Sequence, residues 1–229
     1  MGAARRERQR QDRMITLDTA AVTEIALLAA HCDDLAIGMG GTLLTLADAV
    51  AGLRVRALIL TGGDTERAEE ERLALESFCP GADLDLRILD LPDGSAPAHW
   101  ERAKAAVAAL RRDSAAQLVF APQRGDAHQD HRMLAKLAPT EFRDHLILGY
   151  EILKWENDTP QPTVFHPLPA GCAERKAELL MKHYPSQRNK DWYDEQSFLA
   201  LSRLRGVQCR ARHAEAFLLE KATITFGGA

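Results

Sequence analysis

The sequence predicts an α/β fold built on a mainly parallel sheet. Three observations predict it. Short apolar runs alternate with longer amphipathic segments. Clusters of glycine, proline and aspartate separate them. The chain has 229 residues, 46% hydrophobic and 27% charged, enough for one large domain with a substantial core. Such a composition excludes disorder of the whole chain and a fibrous protein. The balance of 29 Lys+Arg against 33 Asp+Glu argues against a basic nucleic-acid-binding surface. Aromatic residues, at 6%, are too few to suggest a base-stacking platform. Cys32, Cys79, Cys172 and Cys209 form no close pair, so neither a disulfide scaffold nor a cysteine zinc cluster is expected. A reducing, cytoplasmic compartment fits them better. No apolar run suffices for an integral membrane segment.

Residues 1–22 read as a flexible basic tail, and 23–229 as the domain. Residues 1–14 carry five arginines against Glu7 and Asp12, without the apolar stretch of a secretory signal. Glu24–Ala30 (EIALLAA) is a first buried strand, although its composition also suits a helix. Gly38–Ala51 reads as a helix opened by glycines, and Arg54–Thr61 as a second strand stopped by Gly62-Gly63. Glu66–Phe78 is a charged helix ended by Pro80-Gly81. Leu84–Leu89 alternates as a third strand, Pro92-Asp93-Gly94 is a turn, and Trp100–Arg112 is a helix. Gln117–Ala121 is a fourth strand and Leu146–Tyr150 a further one. Pro160–Pro169 is a proline-punctuated segment, while Ala173–His183 and Glu195–Arg212 read as helices. Strands alternating with helices imply right-handed crossovers and a parallel sheet, whose ligands bind beyond the strands' carboxyl ends.

Two of those ends carry chemistry. His31-Cys32-Asp33-Asp34 follows the first strand. In a tight turn His31 and Asp34 can point to one centre, as imidazole and carboxylate ligands of a metal. Asp33 then lies beside it, free to accept a proton. Taken alone, the tetrapeptide is read slightly better as a polar loop in which Asp34 caps the next helix. After the fourth strand comes His128-Gln129-Asp130-His131. At a helix start, His128 and His131 share a face, one to bind metal and one to face substrate. Asp130 can hold an imidazole in the required tautomer. Three of the eight histidines thus sit at strand ends, with His99, His145, His166 and His213 read as surface or packing residues. His183, before Tyr184-Pro185-Ser186-Gln187-Arg188, borders a pocket or simply ends a helix.

The residues Ala30-His31-Cys32-Asp33-Asp34, Gly38-Met39-Gly40-Gly41 and His128-Gln129-Asp130-His131 resemble the signatures of the LmbE-like, or PIG-L-like, zinc-dependent N-deacetylases. Thr61-Gly62-Gly63, Arg67 with Glu70, Leu91-Pro92-Asp93-Gly94, Lys176 and Tyr184-Pro185-Ser186-Gln187 extend the resemblance over about residues 24 to 220. It implies a Rossmann-like, three-layer α/β/α domain. It implies one Zn²⁺, or another divalent metal, held by His31, Asp34 and His131. Asp33 becomes the general base and His128 the group that stabilises the oxyanion or protonates the leaving amine. Asp130 orients His128, and Arg67 contacts substrate. The implied substrate is an N-acylated amino sugar, free or in a glycoconjugate, of the N-acetylglucosamine type. Cys32 and Gln129 replace prolines of the family pattern and Leu35 a glutamate; Cys32 reads as a buried small hydrophobe. Relatives form homo-oligomers, but no interface stripe is evident here.

Two other readings stay open. Gly38-x-Gly40 suggests a dinucleotide turn, yet Leu43 stands where the third glycine belongs. Close packing of the helix explains the glycines better. A zinc- or sugar-binding module of the same fold without hydrolase activity is the other.

Overall fold

The computed structural model describes residues 15–226. The part of the expected tail at 1–14 lies outside the described residues. In chain order the elements are β1 (Glu24–Ala29), α1 (Asp34–Ala49), β2 (Arg54–Thr61), α2 (Arg67–Phe78) and β3 (Asp83–Leu91). Next come α3 (Trp100–Asp113), β4 (Leu118–Pro122), α4 (Gln129–Glu141) and β5 (Leu146–Tyr150). The chain continues with β6 (Val164–Pro167), α5 (Cys172–His183), α6 (Glu195–Cys209) and β7 (Ala214–Leu219). One seven-stranded sheet has the order β3-β2-β1-β4-β5-β7-β6. Strands β1 to β5 are parallel, and β7 pairs antiparallel with both β5 and β6.

Period-two alternation along the strands builds a core on each face. Ile25, Leu27 and Ala29 of β1 join residues of α1, α2, α5 and α6, whereas Ala26 and Leu28 join those of α3 and α4. The result is the expected three-layer α/β/α arrangement. With both faces covered, the central strands read as continuous apolar runs.

Helix α1 and strand β7 differ most from the sequence reading. Helix α1 begins at Asp34, before its glycines. Those glycines mark contacts instead. A Cβ on Gly38 would lie 2.4 Å from Tyr150 Cδ2, and one on Gly40 2.7 Å from Phe78 Cε1. They let the helix lie against β5 and α2, so packing accounts for them. Helix α1 also breaks at Met39 (φ −149°). Lys176 Nζ donates to the Ile37 carbonyl at 2.6 Å on one side of the break. On the other, the Glu215 carboxylate accepts from Gly41 and Thr42 N–H at 2.8 and 2.6 Å. Lys176 and Glu215 themselves pair at 2.6 Å. The second difference is β7, in a region where the sequence pattern assigns no element. Its inward Glu215 is buried at 4% exposure, a charge that hides the strand's apolar alternation.

Because β1 and β4 are parallel neighbours, their carboxyl ends share one edge of the sheet. The loops after Ala29 and Pro122 therefore meet there. Neighbouring β2 and β3 bring the segments after Thr61 and Leu91 to the same edge.

Candidate active site

His31, Asp34 and His131 converge at this edge. His31 Nδ1 lies 3.0 Å from His131 Nε2 and 3.6 Å from Asp34 Oδ2, and His131 Nε2 lies 3.2 Å from Asp34 Oδ2. All three residues are buried. Asp34 does not cap α1 with its side chain. Its Oδ2 turns back to accept the N–H groups of Ala30 and His31 at 3.0 and 2.9 Å, which aims the carboxylate at the imidazoles. The capping preference is therefore corrected: the bend at Asp33 directs the carboxylate away from the helix end.

The outer nitrogens of both imidazoles lie beside carboxylates. His31 Nε2 is 3.2 Å from Asp130 Oδ2 and 3.1 Å from Asp93 Oδ1. His131 Nδ1 is 3.0 Å from Asp126 Oδ1. In neutral rings the protons then sit outside, leaving lone pairs on His31 Nδ1 and His131 Nε2. Two nitrogen lone pairs and a carboxylate oxygen facing one point repel each other unless a cation lies between them. The separations also suit one: ligands about 2.0–2.1 Å from a tetrahedral ion stand roughly 3.3 Å apart. A His/Asp metal centre thus fits these residues. Nitrogen atoms of His31, His128 and His131 also lie within 4.8 Å of one another, as do ligand atoms of His31, Asp93, His128 and Asp130. The His31–Asp34–His131 set fits best, because His128 Nδ1 is engaged with the Asp130 backbone N–H at 3.3 Å.

The electrostatics favour positive charge at the centre. Burial opposes protonation of His31, but Asp34, Asp130 and Asp93 outweigh it and hold the ring well above its ordinary value. Burial opposes ionisation of Asp34 too, yet His131 and His31 hold it well below the usual carboxylate range. Asp33 is shifted in the opposite direction. Burial pushes its carboxyl up to about 6, against the pull of Arg67. Arg67 Nη2 lies 3.3 Å from Asp33 Oδ2 and also donates to the Cys32 carbonyl, while Nη1 is 3.7 Å from Asp93 Oδ2. Arg67 thus braces Asp33 and the turn.

Asp130 differs from expectation in one respect. Its carboxylate meets His31, and accepts from Gly94 and Ala96 N–H at 2.9 and 3.1 Å. It does not orient His128 with its side chain, because α4 turns Asp130 toward β1 and leaves only its backbone N–H for the N-capping His128. His128 remains half-buried, its ring edge-on to His31 at 4.6 Å. Cys32 is buried and its thiol donates to the Thr61 carbonyl at 3.6 Å. His145 packs edge-on against Phe142, and His166 bonds Thr42 at 3.0 Å.

Three acidic residues escaped the sequence reading as site members. Asp126 backs His131 and takes Lys154 Nζ at 3.0 Å on its other oxygen. Its signal was its place two residues before His128. Asp93 stands in the sequence as part of a turn and of the family-like Leu91–Gly94 segment, with no role of its own. Glu71, fully buried, accepts the Asp33 N–H at 2.8 Å and the Tyr184 O–H at 2.7 Å. Glu70, singled out from the sequence, instead holds Ser186.

Comparison with known proteins bears on this geometry. A family profile, PIG-L: GlcNAc-PI de-N-acetylase, matches residues 26–141. No curated protein matches the chain significantly. Among solved structures, N,N'-diacetylchitobiose deacetylase from Pyrococcus horikoshii is similar at a TM-score of 0.69 and 20% identity, over 93% of this chain and 89% of that one. A conserved protein from Thermus thermophilus is similar at 0.70 and 23%, over 88% and 96%. GalB, the 4-carboxy-2-hydroxymuconate hydratase from Pseudomonas putida, is similar at 0.69 and 15%, over 90% and 100%. At these identities the likeness is one of fold, and the fold carries more than one reaction. The family match is more specific, because it spans half of the chain and both histidine–aspartate clusters: this chain belongs to the PIG-L (LmbE-like) family.

Proposed function

We propose that the protein hydrolyses the N-acetyl amide of an N-acetylglucosamine-type amino sugar or its conjugate, with Zn²⁺ as its metal, releasing acetate and a free amine. The observation that carries this reading is the convergence of His31, Asp34 and His131 beside a separate, buried Asp33. When bound, the cation supplies Lewis acidity and an acidified water. Asp33 takes the proton of the attacking water as general base. Arg67 steadies the carboxylate that does so. His128 Nδ1 accepts a backbone N–H, so its ring proton in the neutral tautomer sits on Nε2. That N–H is a donor for the oxyanion of the tetrahedral intermediate. The departing nitrogen takes its proton from Asp33, which received it from the water, or from His128 Nε2. Asp130 holds His31 in its ligating tautomer. The GlcNAc-PI de-N-acetylase family and the fold shared with a diacetylchitobiose deacetylase support the substrate class.

The same reading places the enzyme in the cytoplasm, acting as a domain over 23–229. Among the described residues no helix is long and apolar enough to cross a membrane. The test is a screen of N-acetylated amino sugars, free and conjugated, for acetate release with and without chelator. Release that chelation abolishes and zinc restores is expected. No release from metal-loaded, folded protein would overturn the reading in favour of a binding module.

A further inference from the structure

Arg67 and Glu71 stand four residues apart on α2 and so project from one face of it. They meet the two polar groups of a single peptide unit, the one joining Cys32 to Asp33. The Arg67 guanidinium donates to the Cys32 carbonyl, and Glu71 Oε2 accepts the Asp33 N–H at 2.8 Å. The next backbone torsion is unusual. Asp33 has φ 104°, in the left-handed region that disfavours a residue bearing a side chain. Such a conformation persists only where its surroundings hold it. Tyr184, just beyond α5, donates its O–H to the same Glu71 oxygen at 2.7 Å and fixes it from the other side. Glu71 Oε1 is buried without a hydrogen-bond partner among the described residues.

The left-handed turn separates two consecutive carboxylates. Asp34 Oδ2 lies against the imidazoles, and Asp33 Oδ2 lies against Arg67. We infer that Arg67 and Glu71 form a clamp on the Cys32–Asp33 peptide, and that Glu71 is thereby a positioning residue that aims the Asp33 carboxylate at the reacting water. The inference rests on Asp33 being the general base.

The test compares Glu71→Leu, which removes the acceptor, with Glu71→Gln, whose amide carbonyl can still accept both hydrogen bonds. Amide exchange of Asp33, followed by NMR on the full chain, reads the clamp without any activity. Faster exchange in Glu71→Leu and wild-type protection in Glu71→Gln are expected. For turnover, Glu71→Leu loses about 10–100-fold in kcat, with KM and zinc affinity unchanged, and Glu71→Gln recovers most of it. In an Asp33→Asn background, Glu71→Leu then costs nothing further, because it acts through Asp33. Should Glu71→Leu not fold, Tyr184→Phe loosens Glu71 from its far side, and the same lack of additivity is expected. Unchanged Asp33 exchange, or full additivity with Asp33→Asn, overturns the inference. Wild-type protein that releases no acetate overturns the proposed reaction, and the exchange measurement still decides the clamp.

Discussion

Asp33 and Asp34 are adjacent in sequence and identical in chemistry, yet their surroundings separate them. Burial beside one guanidinium raises Asp33 to about 6, while two imidazoles hold Asp34 well below the usual range. The pair, with His31, His128 and His131, was legible in the sequence because each cluster is local. The carboxylates behind them were not, since a partner's identity depends on which loop the fold brings near. Asp126 is the clearest case. Its oxygens stand between His131 and the Lys154 ammonium, both 3.0 Å away. Asp126→Ala should weaken zinc binding by about 10–100-fold. Chelator competition measures this, and an unchanged affinity would remove Asp126 from the role.

Helix α1 shows what an element owes to its neighbours. Its glycines were rightly read as close-packing residues, but its start and its break were not legible. The break leaves backbone groups without helical partners, and Lys176 and Glu215 supply them from α5 and β7. No pattern within α1 announces residues more than a hundred positions away. Lys176 and Glu215 are both buried, so removing one charge strands the other. Lys176→Met should destabilise the fold by about 3–5 kcal/mol, measured by urea unfolding. Adding Glu215→Gln to it should recover part of that loss. A loss in Lys176→Met no larger than that of an exposed substitution would show the pair to be dispensable. Strand β7 eluded the sequence for a related reason, because its inward glutamate is satisfied only in the folded sheet.

Over the whole molecule, a parallel sheet delivers one set of strand ends to one edge, and that edge holds the site. The centre that forms there gathers carboxylates and imidazoles from β1, β3 and β4 loops, so a cation binding it should tie those loops together. Zinc at about 100 times its dissociation constant should stabilise the fold by about 2.7 kcal/mol, seen as a rise in melting temperature. His31→Ala should abolish that rise, and a rise that survives would place the metal elsewhere. The sequence by itself determined the alternation of strands and helices, hence the parallel sheet, and the two histidine–aspartate clusters at its edge. These are properties of short segments, fixed by periodicity and adjacency. Only the tertiary structure decided which carboxylates stand beside His31 and His131, the divergence of Asp33 from Asp34, and the partners of Glu71 and Asp130. Each depends on a contact between segments far apart in the chain, where burial and hydrogen bonding act on groups that the sequence does not place side by side.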